Sequence, residues 1–201
     1  MAEKPMLFNT EMTRAILEDR KTQTRRLVKE IPLDEQHFTV KGGVALACDG
    51  SGYWYRAEKF CRVQPGDVLW VRETWQRLFE YDKYVYRADY DDDEGLRIDR
   101  AYVAWRPSIH MPREAARLFL NVTGVRIERL QDISPLDIKA EGIRIKEDDE
   151  FDVEMSQEAM ERFEFERLWD STIKPADLPK YGWEANPWVW RYTFERYTQG
   201  G

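Results

Sequence analysis

Lys21, Thr24 and Glu73 are among the side chains whose types could do acid–base or nucleophilic chemistry. A hydroxyl is a weak nucleophile until a base takes its proton, and a neutral lysine in a desolvated site is such a base. A carboxylate can relay a proton to a leaving amine or orient a water. Arg26 adds a guanidinium that can stabilise an oxyanion or hold a ribose or a phosphate. Between Lys21 and Val28, Thr22, Thr24 and Arg26 alternate along the chain. On a strand they share one face, so hydroxyl and guanidinium lie side by side. The plainer reading is an edge strand whose charges deter pairing with other chains.

Glu73 lies in the run Val68 to Trp75, where Leu69, Val71, Glu73 and Trp75 share one face. A carboxylate among apolar neighbours is costly unless it is paired or hydrogen-bonded. Arg72, Lys21 or a polar ligand would serve. Around this centre, Arg26, Arg72, Trp75, Ser108 and His110 are the candidate substrate contacts. Trp75 or Trp105 could stack on a base, worth ~1–3 kcal/mol. Ser108 and His110 lie in a loop pinned by Pro107 and Pro112; a surface or structural histidine is the plainer reading of His110.

The elements that must position these groups follow from pattern. Met6 to Phe8 reads as a first strand. Thr10 is a plausible N-cap with Glu11 behind it, and Met12, Ala15 and Ile16 space a helix over about residues 11–19. Strands are expected over 21–28 and 68–75. Residues 84–88 and 101–105 read as a strand pair, joined through the acidic run Asp89 to Glu94. Leu118 to Leu130 reads as one long strand bulged at Gly124. Ser134-Pro135 and Ser156 each start a helix, the second running to about Ile173. Trp188 to Phe194 reads as the last strand. Residues 29–66 give only loops and a hairpin, and the acidic 147–154 segment reads as an exposed loop. Several short strands with few helices make the class α+β, mainly β, and suggest a barrel. With no repeat and no linker, residues 1–201 read as a single domain.

Bulk properties narrow the functions. The net charge of −7 argues against bulk attraction to a duplex or an anionic membrane. It leaves room for a local basic cleft. Two cysteines, two histidines and the lack of metal-ligand spacing make a disulfide scaffold or a zinc site improbable. No cofactor and no metal is expected. Without a signal-like or membrane-spanning apolar run, the expected setting is the cytoplasm, the expected state a monomer.

Four ordered blocks carry a family resemblance. Asp19-Arg20-Lys21-Thr22-Gln23-Thr24-Arg25-Arg26 is similar to the ASCH signature, glycine-x-lysine-x-x-threonine-x-arginine, with Asp19 where glycine is usual. Gln64 to Trp75 resembles the second block. Pro107 to Pro112 and Asn186 to Trp190 resemble later blocks, those of phage and prophage members above all. The match weakens over residues 29–62 and 145–160. The resemblance implies a PUA-like β-barrel with a cleft beside the first helix, and a nucleoside or RNA as partner. It also implies an amidohydrolase reaction known in one bacterial branch, cleavage of N4-acetylcytidine to cytidine and acetate. A lysine, a threonine and a glutamate at the positions of Lys21, Thr24 and Glu73 do that work. Two alternatives stay open. One is a non-catalytic single-stranded RNA-binding module using Arg25, Arg26, Arg72, Arg106 and Arg113. The other is a ribonuclease using Lys21, Glu73 and His110.

Overall fold

The chain is mixed α+β and mainly β. A computed structural model describes residues 2–32, 34, 37–90, 97–98, 101–102, 104–145 and 155–197. In chain order the first half comprises β1 (Glu3–Leu7), α1 (Thr10–Leu17), β2 (Gln23–Leu27), β3 (Phe38–Lys41), β4 (Val44–Cys48), β5 (Trp54–Arg56), β6 (Val68–Arg72), β7 (Trp75–Leu78) and β8 (Lys83–Tyr86). The second half comprises β9 (Arg97–Ile98), β10 (Ala101–Tyr102), β11 (Phe119–Arg129), α2 (Pro135–Ala140), α3 (Gln157–Ser171), α4 (Leu178–Tyr181) and β12 (Trp188–Arg196). No helix among the described residues is long and apolar enough to cross a membrane.

The main sheet has the order β1-β6-β11-β12-β2, with β1 and β6 parallel and the other pairs antiparallel. It is open, with β1 and β2 as its edges, and no sheet among the described residues closes on itself. A side chain spans the two edges: Arg26 Nη2 donates to the Leu7 carbonyl at 2.7 Å. Period-2 patterning in β12 builds both layers. Trp190, Tyr192 and Phe194 face the main core with Phe8, Ile16, Leu69, Val71 and Leu120. Val189 faces the other way, into a second cluster with Ile138 of α2, Phe165 and Trp169 of α3, and Trp183 just after α4. The expected bulge in β11 is present: its register with β12 shifts between Val122 and Gly124.

Helix starts follow the expected capping chemistry at Ser134 and Ser156, whose side chains accept from Asp137 N and Ala159 N. α1 differs by one position. Asn9, not Thr10, caps it, accepting from Met12 N at 2.8 Å. Three larger differences concern strands. Residues 68–75 are not one strand: β6 ends at Arg72, and β7 leaves for a separate hairpin with β8. Residues 84–88 do not pair with 101–105. β8 pairs with β7 across a turn at Phe79–Tyr81 that Asp82 completes in the left-handed conformation (φ 42°), and β10 pairs with β9. A hairpin is local in sequence, so the nearer partner wins. Residues 38–56 form a three-stranded sheet, β3-β4-β5, where loops and one hairpin were expected. The acidic stretches at 91–94 and 147–154 lie outside the described residues.

Candidate functional site

The turn from α1 into β2 sets Lys21. α1 ends with Asp19 in the left-handed region (φ 57°), and the Arg20 and Lys21 amides both return to the Ala15 carbonyl. This is the position where the signature has glycine. Aspartate is among the few other residues that visit that conformation readily, and its carboxylate meets Arg196 at 3.1 Å. β2 then pairs with β12, placing Thr24 opposite Tyr192 and Arg26 opposite Trp190. Thr24 and Arg26 therefore share the main-core face, as the alternation predicts. Gln23 and Arg25 face α2: Gln23 donates to Asp137, and Arg25 meets Glu128, Asp137 and Glu141.

Lys21 and Arg26 converge on one ring. The Lys21 ammonium lies 5.9 Å from the centroid of Phe8, and the Arg26 guanidinium carbon 5.2 Å from it. Both distances are within cation–π range. Phe8 continues the pairing of β1 with β6, its amide donating to the Arg72 carbonyl at 3.0 Å. The next residue along is Glu73. Lys21 and Thr24 are buried, at 4% and 2% exposure, and Glu73 at 1%.

The two charged groups have partners that sequence reasoning missed. Lys21 Nζ donates to the Glu141 carbonyl and to Glu141 Oε2, each at 2.7 Å. Burial pushes its pKa below the ordinary lysine value, with Arg25 and Arg26 assisting, while the Glu141 carboxylate opposes. Glu73 is paired neither with Arg72 nor with Lys21. Arg117 grips it with two bonds, Nε to Oε1 at 2.9 Å and Nη2 to Oε2 at 3.0 Å. Burial still holds the Glu73 pKa above the ordinary carboxylate value, with Asp89 adding to the rise and Arg117 lowering it. Arg117 also binds Asp89 at 2.7 Å and lies 4.0 Å from the centroid of Tyr86, whose hydroxyl burial pushes up to about 12.

The other expected contacts are spread more widely. Arg72 donates to the Ile109 carbonyl and lies 5.5 Å from the Trp70 ring centroid, so it ties β6 to the 106–112 loop. Trp75 is 4% exposed, packed with Met111 and Ala115, with Tyr84 and the Arg106 guanidinium near its ring. It is a core residue here, and a base would have to displace one of these neighbours to stack on it. Ser108 opens a short 3-10 turn, and its carbonyl accepts from the Met111 amide. Met111 in turn places its sulfur 3.2 Å from the Glu73 amide. His110 is exposed at the end of that turn. Arg113 pairs with Glu3. Among the described residues, no group of three or more His, Cys, Asp or Glu is placed to hold a metal ion.

The geometry thus gives two separate charge centres, each with a buried member, and links both to Phe8: the first through its ring and the second through its backbone bond to Arg72. One is Lys21–Glu141 with Arg25 and Arg26, the other Glu73–Arg117 with Asp89. Comparison with protein-family models, curated proteins and solved structures finds no match for this chain.

Proposed function

We propose that this chain is an ASCH-type protein with a PUA-like fold that binds a nucleoside, free or within short single-stranded RNA, beside Phe8. The reaction we assign to it is hydrolysis of the amide in N4-acetylcytidine-like nucleosides. The observation that carries the reading is the convergence of Lys21 and Arg26 on the Phe8 ring, with the Arg72–Glu73 peptide joined to the same residue. An aromatic ring flanked by two cations suits a planar base that carries a polar acyl group; Phe8, like Trp75, is 4% exposed, so a base reaches it only as its neighbours move aside.

In this reading Lys21 takes the Thr24 proton, which its lowered pKa favours. The Thr24 oxygen adds to the acyl carbonyl, and the Arg26 guanidinium stabilises the oxyanion. The C–N bond then breaks and the exocyclic amine leaves with a proton. The raised pKa of Glu73 suits it to supply one. Water finally cleaves the threonyl ester, releasing acetate and restoring the hydroxyl.

A second reading, a non-catalytic RNA-binding module, draws on a different observation. Lys21 and Glu73 are each already held by a dedicated partner, Glu141 and Arg117. Incubation with a panel of N4-acylated cytidines and short single-stranded RNA, followed by chromatography, separates the two. The hydrolase reading expects cytidine and acetate from wild type, and a loss of at least about 100-fold for folded Thr24→Ala. Undiminished hydrolysis by Thr24→Ala would remove the threonine-nucleophile mechanism. Binding of several nucleotides that collapses with added salt, without turnover, supports the module.

A further inference from the structure

The C-terminal end of α2 is built around Lys21. Three successive carbonyls there accept from three successive residues running the other way. Ala140 O accepts from the Thr22 amide at 2.8 Å, Glu141 O from Lys21 Nζ at 2.7 Å, and Gly142 O from Arg20 Nη1 at 2.7 Å. These are carbonyls that a helix end leaves without intrahelical partners, and cations satisfy them well. Gly142, at φ 86°, permits the approach: a Cβ there would meet Ala15 Cβ at 2.7 Å and Lys21 Cβ at 3.0 Å. The Glu141 carboxylate then closes the arrangement. One oxygen takes Lys21, and the other takes Arg25 Nη1 at 2.9 Å.

Lys21 thus faces the Glu141 carboxylate from the end of α2, and the guanidiniums of Arg25 and Arg26 from β2. The Phe8 ring lies beside it just past the end of β1, and from α1 the Ala15 carbonyl accepts from the Lys21 amide. Arg25 is tied further to Glu128 and Asp137, which anchors the glutamate's second partner.

We propose that Glu141 is a positioning residue for Lys21, orienting its amine and setting whether that amine is charged. The inference rests on the reading of Lys21 as the working base and names the group that controls it. It assigns control to a residue 120 positions away on another element, not to Glu73.

The charge of one buried amine is measurable without substrate. Carbon–nitrogen correlation NMR follows the Lys21 Cε–Nζ pair as pH rises, with the signal assigned by its absence in Lys21→Met. In wild type, Lys21 is expected to deprotonate below the ordinary lysine value of 10.5. In Glu141→Gln the stabilising carboxylate is gone while Arg25 and Arg26 remain, so Lys21 deprotonates at lower pH still. Should Glu141→Gln not fold, Glu141→Asp keeps the charge but draws it back, and a smaller downward shift is expected. For a reaction that needs neutral Lys21, the rise in rate with pH moves down by the same amount.

A Lys21 titration that stays where it is in the folded variant overturns the proposal, even if the variant melts earlier. A shifted titration in a protein that cleaves no acylated cytidine upholds the Glu141 coupling and defeats the hydrolase reading instead.

Discussion

Arg117→Met tests how the Glu73 centre is held. Glu73 is 1% exposed and receives two charge-assisted hydrogen bonds from Arg117. Each such bond contributes about 1.5–3 kcal/mol, and breaking a buried pair from one side costs about 3–5 kcal/mol. The Arg117 side chain is 25% exposed, so water can reach the vacated end. The lower end, about 3 kcal/mol, is therefore expected at neutral pH. Asp89 is 41% exposed, and its share of the loss is under about 1 kcal/mol. The sign of the pH dependence follows from Glu73. Its pKa is already raised in the fold, and removing the cation raises it further. The native variant then binds a proton that the unfolded chain releases, so its stability falls as pH rises above the ordinary carboxylate range. Below that window the buried carboxyl is neutral, and what is lost is mainly the Arg117 stacking on Tyr86, about 0.5–1 kcal/mol. Urea unfolding followed by tryptophan fluorescence, at mildly acidic and mildly alkaline pH, reads the difference. A destabilisation below about 0.5 kcal/mol, or one equal at both pH values, refutes the reasoning.

Two further stability predictions follow from local geometry. Gly142→Ala places a methyl 2.7 Å from Ala15 Cβ at a left-handed backbone position, and should cost about 1–3 kcal/mol, read as a fall in Tm. Gly50→Ala, also left-handed but with nothing within 4 Å, should cost less. Asn9→Ala removes the α1 cap and should cost about 1 kcal/mol, whereas Thr10→Ala should cost less; the reverse order would contradict the cap assignment.

What could be read from the sequence was whatever is local. The serine caps of α2 and α3, the bulge at Gly124 and the shared face of Thr24 and Arg26 all rest on neighbouring residues. The burial of the Glu73 carboxylate was legible too, from its apolar neighbours Leu69, Val71 and Trp75, although Glu73 lies one residue past the end of β6 and Trp75 packs in another cluster. The partner of that carboxylate was not. Arg117 is 44 residues further along the chain, and no periodic pattern marks it. Glu141 was equally silent. It follows a helix that Ser134-Pro135 announces, but nothing in that helix says that its end will meet the turn after α1. The chain's departure from the main sheet after Arg72 has no local marker, because the β-forming run continues to Trp75 with Glu73 as its one charged interruption on that face. Only the competing hairpin with Lys83–Tyr86 decides where that strand ends.

The central claim is that Phe8, Lys21 and Arg26 together seat a ligand. Titrating N4-acetylcytidine into isotope-labelled protein tests it most directly. Saturable shifts should appear at the Phe8 ring, the Lys21 amine and the Arg26 guanidinium, and should weaken in Arg26→Met. Shifts confined to another face, or none at concentrations where the nucleoside is soluble, would contradict it.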